Sequence, residues 1–273
     1  MSIIQAIILG LVQGITEFVP ISSSGHLVII RDVLGWEDPG LFFDVVLHLG
    51  TLIAILVYFR KEWLRLIKMI PDFLRSFSKR AALPPENFLL SKIIIAIIPA
   101  IIVGFFFEGL LEKYFRNVFV IAGWMIAMGI IFIFTESVAR LHKRLSEITA
   151  LDSLIIGAAQ VFALIPGVSR SGITISVGLL RGVRRSVAAK FSFMLGAPLI
   201  FGAGLFEFVK FLRDGGSKES IWFFVIGFVI SVLVSYFVIK YLLLFLKKHS
   251  LFAFSYYLFA LGIILIVWGI ISQ

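Results

Sequence analysis

Residues 13–26 read QGITEFVPISSSGH, and residues 160–174 read QVFALIPGVSRSGIT. Each string interrupts an otherwise apolar stretch, roughly 3 to 30 in the first case and 151 to 180 in the second, with a proline, a glycine and a group of hydroxyls. Proline removes a backbone donor and glycine loosens a helix, so each stretch reads as a broken helix. Such a break frees backbone N–H and C=O groups. At membrane depth these are tolerated only where they line a protected cavity or are buried in protein. The two strings therefore predict both an architecture and the place of a site within it.

The surroundings of the strings show why membrane depth is at issue. The chain has 273 residues, 60% of them apolar or aromatic and only 15% charged, with a mean hydropathy of +1.07. Soluble domains carry about a quarter charged residues, so soluble enzyme, nucleic-acid binder and secreted scaffold are all excluded. The net charge of +9 resides in short loops between apolar runs, where orientation in a membrane accounts for it. With no cysteine, thiol nucleophiles, thiolate metal sites and disulfides are excluded as well. The first Lys or Arg is Arg31, so no basic region precedes the apolar start and a cleavable signal peptide is not expected.

Runs long enough to cross a bilayer, about 17 to 25 residues, occur at roughly 41–59, 91–107, 117–135, 188–209, 221–246 and 251–271. The expected fold is an all-α integral membrane protein with six transmembrane helices plus two re-entrant broken-helix hairpins. The two broken stretches also repeat one another. At an offset of 147 residues Ile8 matches Ile155, Gly10 matches Gly157, Gln13 matches Gln160, Ser22 matches Ser169, Ser24 matches Ser171 and Gly25 matches Gly172. Leu49-Gly50 and Leu195-Gly196 follow at similar distance. One membrane domain, 1–273, is thus expected to consist of two homologous halves, about 1–135 and about 148–273.

Basic residues orient the halves. The segment 60–92 holds Arg60, Lys61, Arg65, Lys68, Arg75, Lys79, Arg80 and Lys92, and the segment 136–150 holds Arg140, Lys143 and Arg144. Both are expected on the cytoplasmic side. The opposite connections are poorer, with Lys113, Arg116, Arg213 and Lys218. The first hairpin then dips in from outside, and the second, flanked by Arg181, Arg184 and Arg185, dips in from inside. An inverted-topology repeat follows, an arrangement in which discontinuous helices build a site near the midplane.

An ionisable group at bilayer depth costs about 2.5 to 3.5 kcal/mol on insertion scales and so requires a reason. Gln13 and Glu17 are four residues apart, as are Ser22 and His26, and Arg170 and Thr174; that spacing places each pair on one helical face. A half-helix starting after each break aims free N–H groups and a positive dipole end into the cavity. One Arg fork, several hydroxyls and two helix N-termini describe an anion site suited to a phosphate or diphosphate. The bland alternative is a buried Glu17–Arg170 ion pair, a satisfied core His26 and small residues that aid packing; an ion pair alone does not need the surrounding hydroxyls. Asp44 and His48, also four apart, read chiefly as structural support at the border of the cavity. Glu207 and Lys210 read as interfacial, and the basic segment after residue 60 as an orientation signal and amphipathic surface segment.

Residues Gln13 to His26 and Pro166 to Thr174 resemble the two signature motifs of the undecaprenyl-diphosphate phosphatase family of the bacitracin-resistance type, and the similarity runs the full length. The resemblance implies hydrolysis of a C55 polyprenyl diphosphate to the monophosphate and inorganic phosphate, recycling the lipid carrier of the bacterial cell wall. It also implies a divalent cation (Mg2+ or Ca2+), a site in the cytoplasmic (inner) membrane that opens to the extracytoplasmic side, and a homodimer. The family's first motif is Glu or Gln, three residues, then Glu. This chain has the Gln form, so Glu17 is the only matched acid, and Gln13 is the weaker of two candidate metal ligands. The expected catalytic set is Glu17, Ser23, His26 and Arg170, with Ser22, Ser24, Gly25, Ser169, Ser171, Gly172 and Thr174 around the phosphate. Two nucleophiles stay open, the Ser23 hydroxyl and a metal-activated water. A transporter or lipid flippase with a midplane anion site is the rival function. Lipid phosphatases with a histidine nucleophile six residues after the Arg are a poorer match, since that position is Ser176.

Overall fold

The computed structural model describes residues 1–79, 88–115, 117–213 and 220–272. Arg80, Arg116 and Lys218 lie outside the described residues, as do the side chains of Lys79 and Lys113. Eleven α helices follow one another among the described residues: α1 Ile3–Thr16, α2 Ser23–Leu34, α3 Leu41–Tyr58, α4 Arg60–Lys79, α5 Phe88–Phe115, α6 Val118–Val138, α7 Ala150–Gln160, α8 Arg170–Leu180, α9 Arg185–Arg213, α10 Ile221–Phe245 and α11 Phe252–Ile271. Five of them, α3, α6, α9, α10 and α11, are long and apolar enough to cross a membrane. The sixth expected span falls on α5, whose described apolar part is Leu89–Gly104.

Both broken stretches are helix–break–helix units, and local chemistry sets their ends. α1 begins with a capping box, in which the Ser2 side chain accepts from the Gln5 N–H and the Gln5 side chain from the Ser2 N–H, and the chain leaves it before Pro20. α2 restarts with Ser22 as N-cap and stops at Gly35, which adopts φ +60°. α7 starts on a reciprocal Thr149–Asp152 cap, passes into a 3-10 turn over Val161–Leu164, and breaks at Pro166-Gly167, with Gly167 at φ +96°. Ser169 then caps α8.

Glycines set how closely the units pack. α1 lies on α10 and α7 lies on α5. A Cβ on Gly10 would come within 2.7 Å of the Gly227 carbonyl oxygen, and one on Gly157 within 2.1 Å of the Ala96 carbonyl oxygen. These are backbone-close contacts of the kind small residues permit in membranes. The second limbs converge on α6. Gly25 at the start of α2 faces Met125 and Ile121, and Gly172 at the start of α8 faces Phe132 and Met128. α3 and α9 pack together on another side of the two breaks.

Ion pairs gather where the basic loops meet. Glu136 takes Arg185 Nε at 2.9 and 3.0 Å together with the Leu251 N–H at 2.8 Å. Asp152 accepts from Lys143 Nζ (2.8 Å), Arg181 Nε (2.7 Å) and the Thr149 N–H (3.0 Å). Lys190 of α9 donates to Glu62 of the amphipathic α4. Burial pushes the Glu62 carboxyl up, and the Lys190 hydrogen bond, a backbone hydrogen bond and the charges of Lys190 and Arg65 together hold it below its ordinary value.

Candidate active site

Glu17 is the first residue past α1, and its buried carboxylate gathers donors from both units. Gln13, one turn back, donates through Nε2 to Oε2 (3.0 Å). Ser23, the first residue of α2, donates through Oγ to the same oxygen (2.8 Å). Arg170, the first residue of α8, donates through Nη2 to Oε1 (2.5 Å). Thus three of the four residues expected from the sequence to do chemistry, Glu17, Ser23 and Arg170, meet at one carboxylate across a separation of 153 residues, and the fourth, His26, does not bond to it. A serine within about 2.6 to 3.2 Å of a base is the signature of an activated nucleophile.

Charge is balanced but not used up. Arg170 Nη1 is buried and has no hydrogen-bond partner in the structure, so this donor of the guanidinium is not spent on Glu17. The same Nη1 end packs against Gly196 of α9, where a Cβ would fall 1.8 Å from Nη1. At the start of α2, Ser22 Oγ accepts from the Gly25 N–H (3.4 Å). Helix geometry leaves the Ser23 and Ser24 N–H groups without an intrahelical carbonyl. Ser22 achieves this at φ +73° and ψ 98°, a region that costs a non-glycine residue on the order of 1 to 3 kcal/mol and occurs where surrounding structure dictates it.

The remaining expected residues divide into exposed and internal. Ser24 is exposed, with its hydroxyl 3.5 Å from that of Ser22. His26 faces away from Glu17: Nδ1 donates to the Ser22 carbonyl (2.7 Å) and Nε2 pairs with the Tyr257 hydroxyl of α11 (2.7 Å). Ser169, Ser171 and Thr174 are buried. Ser169 accepts from the Gly172 N–H (3.1 Å) and lies 3.1 Å from the Ser171 hydroxyl. Thr174 bonds the Arg170 carbonyl (2.7 Å) and Ser192 of α9 (2.6 Å). In this arrangement those hydroxyls hold the start of α8, and with it Arg170. Gly25 and Gly172 are places of close approach to α6.

Four participants were not in the expected set. His48 of α3 places Nε2 3.4 Å from Glu17 Oε2; the sequence marks it only as border support, through the Asp44–His48 spacing. Gly196 is marked only by its place in the repeat. Ser192 and Tyr257 carried no local signal, since each meets its partner only through packing of distant helices.

A divalent cation at this place would draw its protein ligands from Glu17 and Gln13. Mg2+ and Ca2+ take oxygen ligands, and Mg2+ in phosphoryl-transfer sites is held by one or two carboxylates plus substrate oxygens. Glu17 supplies the carboxylate, and Gln13 Oε1 is buried beside it with no hydrogen-bond partner. Among the described residues no group of three or more His, Cys, Asp or Glu is placed to form an all-protein cage.

Comparison with known proteins agrees with this geometry. The family model for bacitracin resistance protein BacA matches residues 6–264, which include both breaks. A protein of Rubrobacter xylanophilus named undecaprenyl-diphosphatase is 41% identical over 265 residues, 96% of each chain. Proteins of the same name from Desulforudis audaxviator and Caldicellulosiruptor bescii are 41% and 39% identical over 96% and 98% of each chain. With the match spanning nearly all of its length and both halves of the site, the chain belongs to the bacitracin resistance protein BacA family.

Proposed function

We infer that the chain is an undecaprenyl-diphosphatase, a membrane phosphatase that hydrolyses undecaprenyl diphosphate to the monophosphate and inorganic phosphate. The observation that carries this is the Ser23–Glu17–Arg170 constellation, a hydroxyl on a carboxylate that also pairs with a guanidinium, in a chain about 40% identical to proteins of that name. Ser23 Oγ attacks the terminal phosphorus as Glu17 Oε2 takes its proton. The bond from that phosphorus to the bridging oxygen breaks, and the polyprenyl monophosphate leaves with the electron pair. Water then attacks the phosphoserine, returning Ser23 and releasing inorganic phosphate. The Arg170 guanidinium and the N–H groups at the start of α2 stabilise charge on the transferred group. A divalent cation held by Glu17 and Gln13 would supply further charge neutralisation on the diphosphate. Transport, the rival reading, has no counterpart in the relatives' names.

The same reading includes the membrane arrangement: six spans, two re-entrant hairpins and inverted halves in the bacterial cytoplasmic membrane, with the site open to the extracytoplasmic side. It includes a second copy of the chain as partner, on the family resemblance alone. The charge placement and the two helix–break–helix units support the arrangement. The test of function is phosphate release from undecaprenyl diphosphate in detergent with no gradient present. Wild type releases phosphate, and Ser23→Ala, Glu17→Ala and Arg170→Ala each lose at least about a hundredfold in kcat. No release by wild type overturns the activity; near-normal turnover by Ser23→Ala alone overturns the serine route.

A further inference from the structure

We propose that Tyr257 and His26 are positioning residues for Ser23, forming a relay from α11 that holds the peptide bond from which the nucleophile hangs. The inference rests on the phosphatase reading only in giving Ser23 the attack on phosphorus. Ser22, one residue earlier, turns the chain at φ +73° and ψ 98°, a conformation that a serine keeps only where its surroundings hold it. The hold is on the Ser22 carbonyl. It accepts from the His26 backbone N–H (3.2 Å) and from the ring Nδ1 of the same residue (2.7 Å), so both lone pairs of the oxygen are engaged. The peptide joining Ser22 to Ser23 is trans and planar, with its C=O and N–H pointing in opposite directions. A fixed Ser22 carbonyl therefore also fixes the aim of the Ser23 N–H and the root of the Ser23 side chain.

The ring is held in turn. A carbonyl oxygen accepts only, so Nδ1 carries the hydrogen, and in the neutral ring Nε2 is then an acceptor. The Tyr257 hydroxyl lies 2.7 Å from Nε2 and donates to it. The two rings also stack, with centroids 5.8 Å apart and planes 12° from parallel. Both ring nitrogens are thereby engaged, so the effect of His26 on the reaction passes through Ser22 and not through a contact with the diphosphate. Tyr257 belongs to α11, which packs on α6. Gly25, the residue before His26, closes on that same α6, where its Cβ would meet Met125 at 2.7 Å. The relay thus ties the turn before the nucleophile to the α6–α11 pair, apart from α1, α2 and α8, which bond the Glu17 carboxylate. Nucleophile and base are aimed from separate parts of the fold, and their relative placement is the quantity on which catalysis by positioning depends most steeply.

The pair His26→Asn and His26→Gln separates this role from direct chemistry by the ring. The asparagine amide nitrogen falls where Nδ1 stood and keeps the donation to the Ser22 carbonyl; the glutamine amide reaches the Nε2 position and meets Tyr257 instead. Both variants, and Tyr257→Phe in the wild-type and His26→Asn backgrounds, are purified in detergent. Their thermal midpoints are compared, and phosphate release is measured against undecaprenyl diphosphate concentration. His26→Asn is expected to keep about a tenth or more of wild-type kcat, and His26→Gln to fall at least about tenfold below His26→Asn. Tyr257→Phe loses about three- to tenfold in kcat with KM changed by less than about twofold, and loses nothing further in the His26→Asn background, which has no ring for it to hold. Equal kcat in the two folded His26 variants overturns the relay, since a ring acting on the substrate is replaced by neither amide. Wild-type kcat in Tyr257→Phe, a loss confined to KM, or the same loss in both backgrounds overturns it as well. If His26→Gln does not fold, the Tyr257→Phe comparison decides alone. Failure of wild type to release phosphate sinks the phosphatase reading instead, so the two failures are distinguishable.

Discussion

Arg170 reaches Glu17 across the groove only because residue 196 is a glycine. A methyl there would overlap the guanidinium, at 1.8 Å from Nη1 and 2.4 Å from Cζ. The atoms displaced are the far end of a flexible side chain, so the fold can yield while the contact with Glu17 cannot persist. Gly196→Ala is therefore expected to lower phosphate release about tenfold or more with the thermal midpoint within a few degrees of wild type. A kinetic assay beside a melting curve checks both halves of that statement. The same residue shows how far the site was legible in the sequence. Glu17, Ser23 and Arg170 stood out because charge and hydroxyls at membrane depth are costly without a task. Gly196 did not: it lies inside a continuous apolar run, and its importance comes from a side chain packed against it from elsewhere in the chain. His26 stood out and meets Tyr257, a residue 231 positions away that the local pattern could not supply.

At the scale of elements, the breaks were readable and the faces were not. Proline and glycine mark where α1 and α7 stop, whereas the side on which each lies down is decided by where a helix can approach closely enough to exclude a Cβ. For α7 that place is Gly157, whose absent Cβ would sit 2.1 Å from the Ala96 carbonyl oxygen and 2.6 Å from its Cα. Backbone cannot rotate away as a side chain can, so Gly157→Ala must separate α7 from α5. Overpacking of this kind costs about 1 to 3 kcal/mol. Gly123 of α6 has open space around its Cβ position, and alanine there gains about 0.8 to 1 kcal/mol of helix propensity. The thermal midpoints of Gly157→Ala and Gly123→Ala in detergent are thus expected to move in opposite directions from wild type. A shift of the same sign in both would mean that close approach does not set the packing of α7.

For the whole molecule, the informative pattern is that each unit leans on the other half. α1, at the beginning of the chain, packs on α10, and α7 packs on α5, while α2 and α8 both begin against α6. The first limb of each broken helix is covered by a helix of the other half. The halves expected from the repeat are therefore bound into one body, and the two breaks are brought to the same place. The segments read as cytoplasmic lie together, laced by Glu136–Arg185, Asp152–Lys143–Arg181 and Glu62–Lys190. Arg31, Asp38 and Asp44 pair apart from that group. The inverted arrangement proposed above makes this a topological claim: the loop after α2 and the loop after α8 face opposite sides, although each follows the second limb of a like unit. Because the chain has no cysteine, single replacements are clean probes, and Glu37 and Arg184 are exposed members of the two loops. In intact cells a membrane-impermeant maleimide is expected to label Glu37→Cys, and to label Arg184→Cys only after the membrane is opened. Labelling of both from one side would mean that the two units enter the membrane in parallel. A site built by breaks meeting from opposite faces would then have to be abandoned, whatever the activity of the protein.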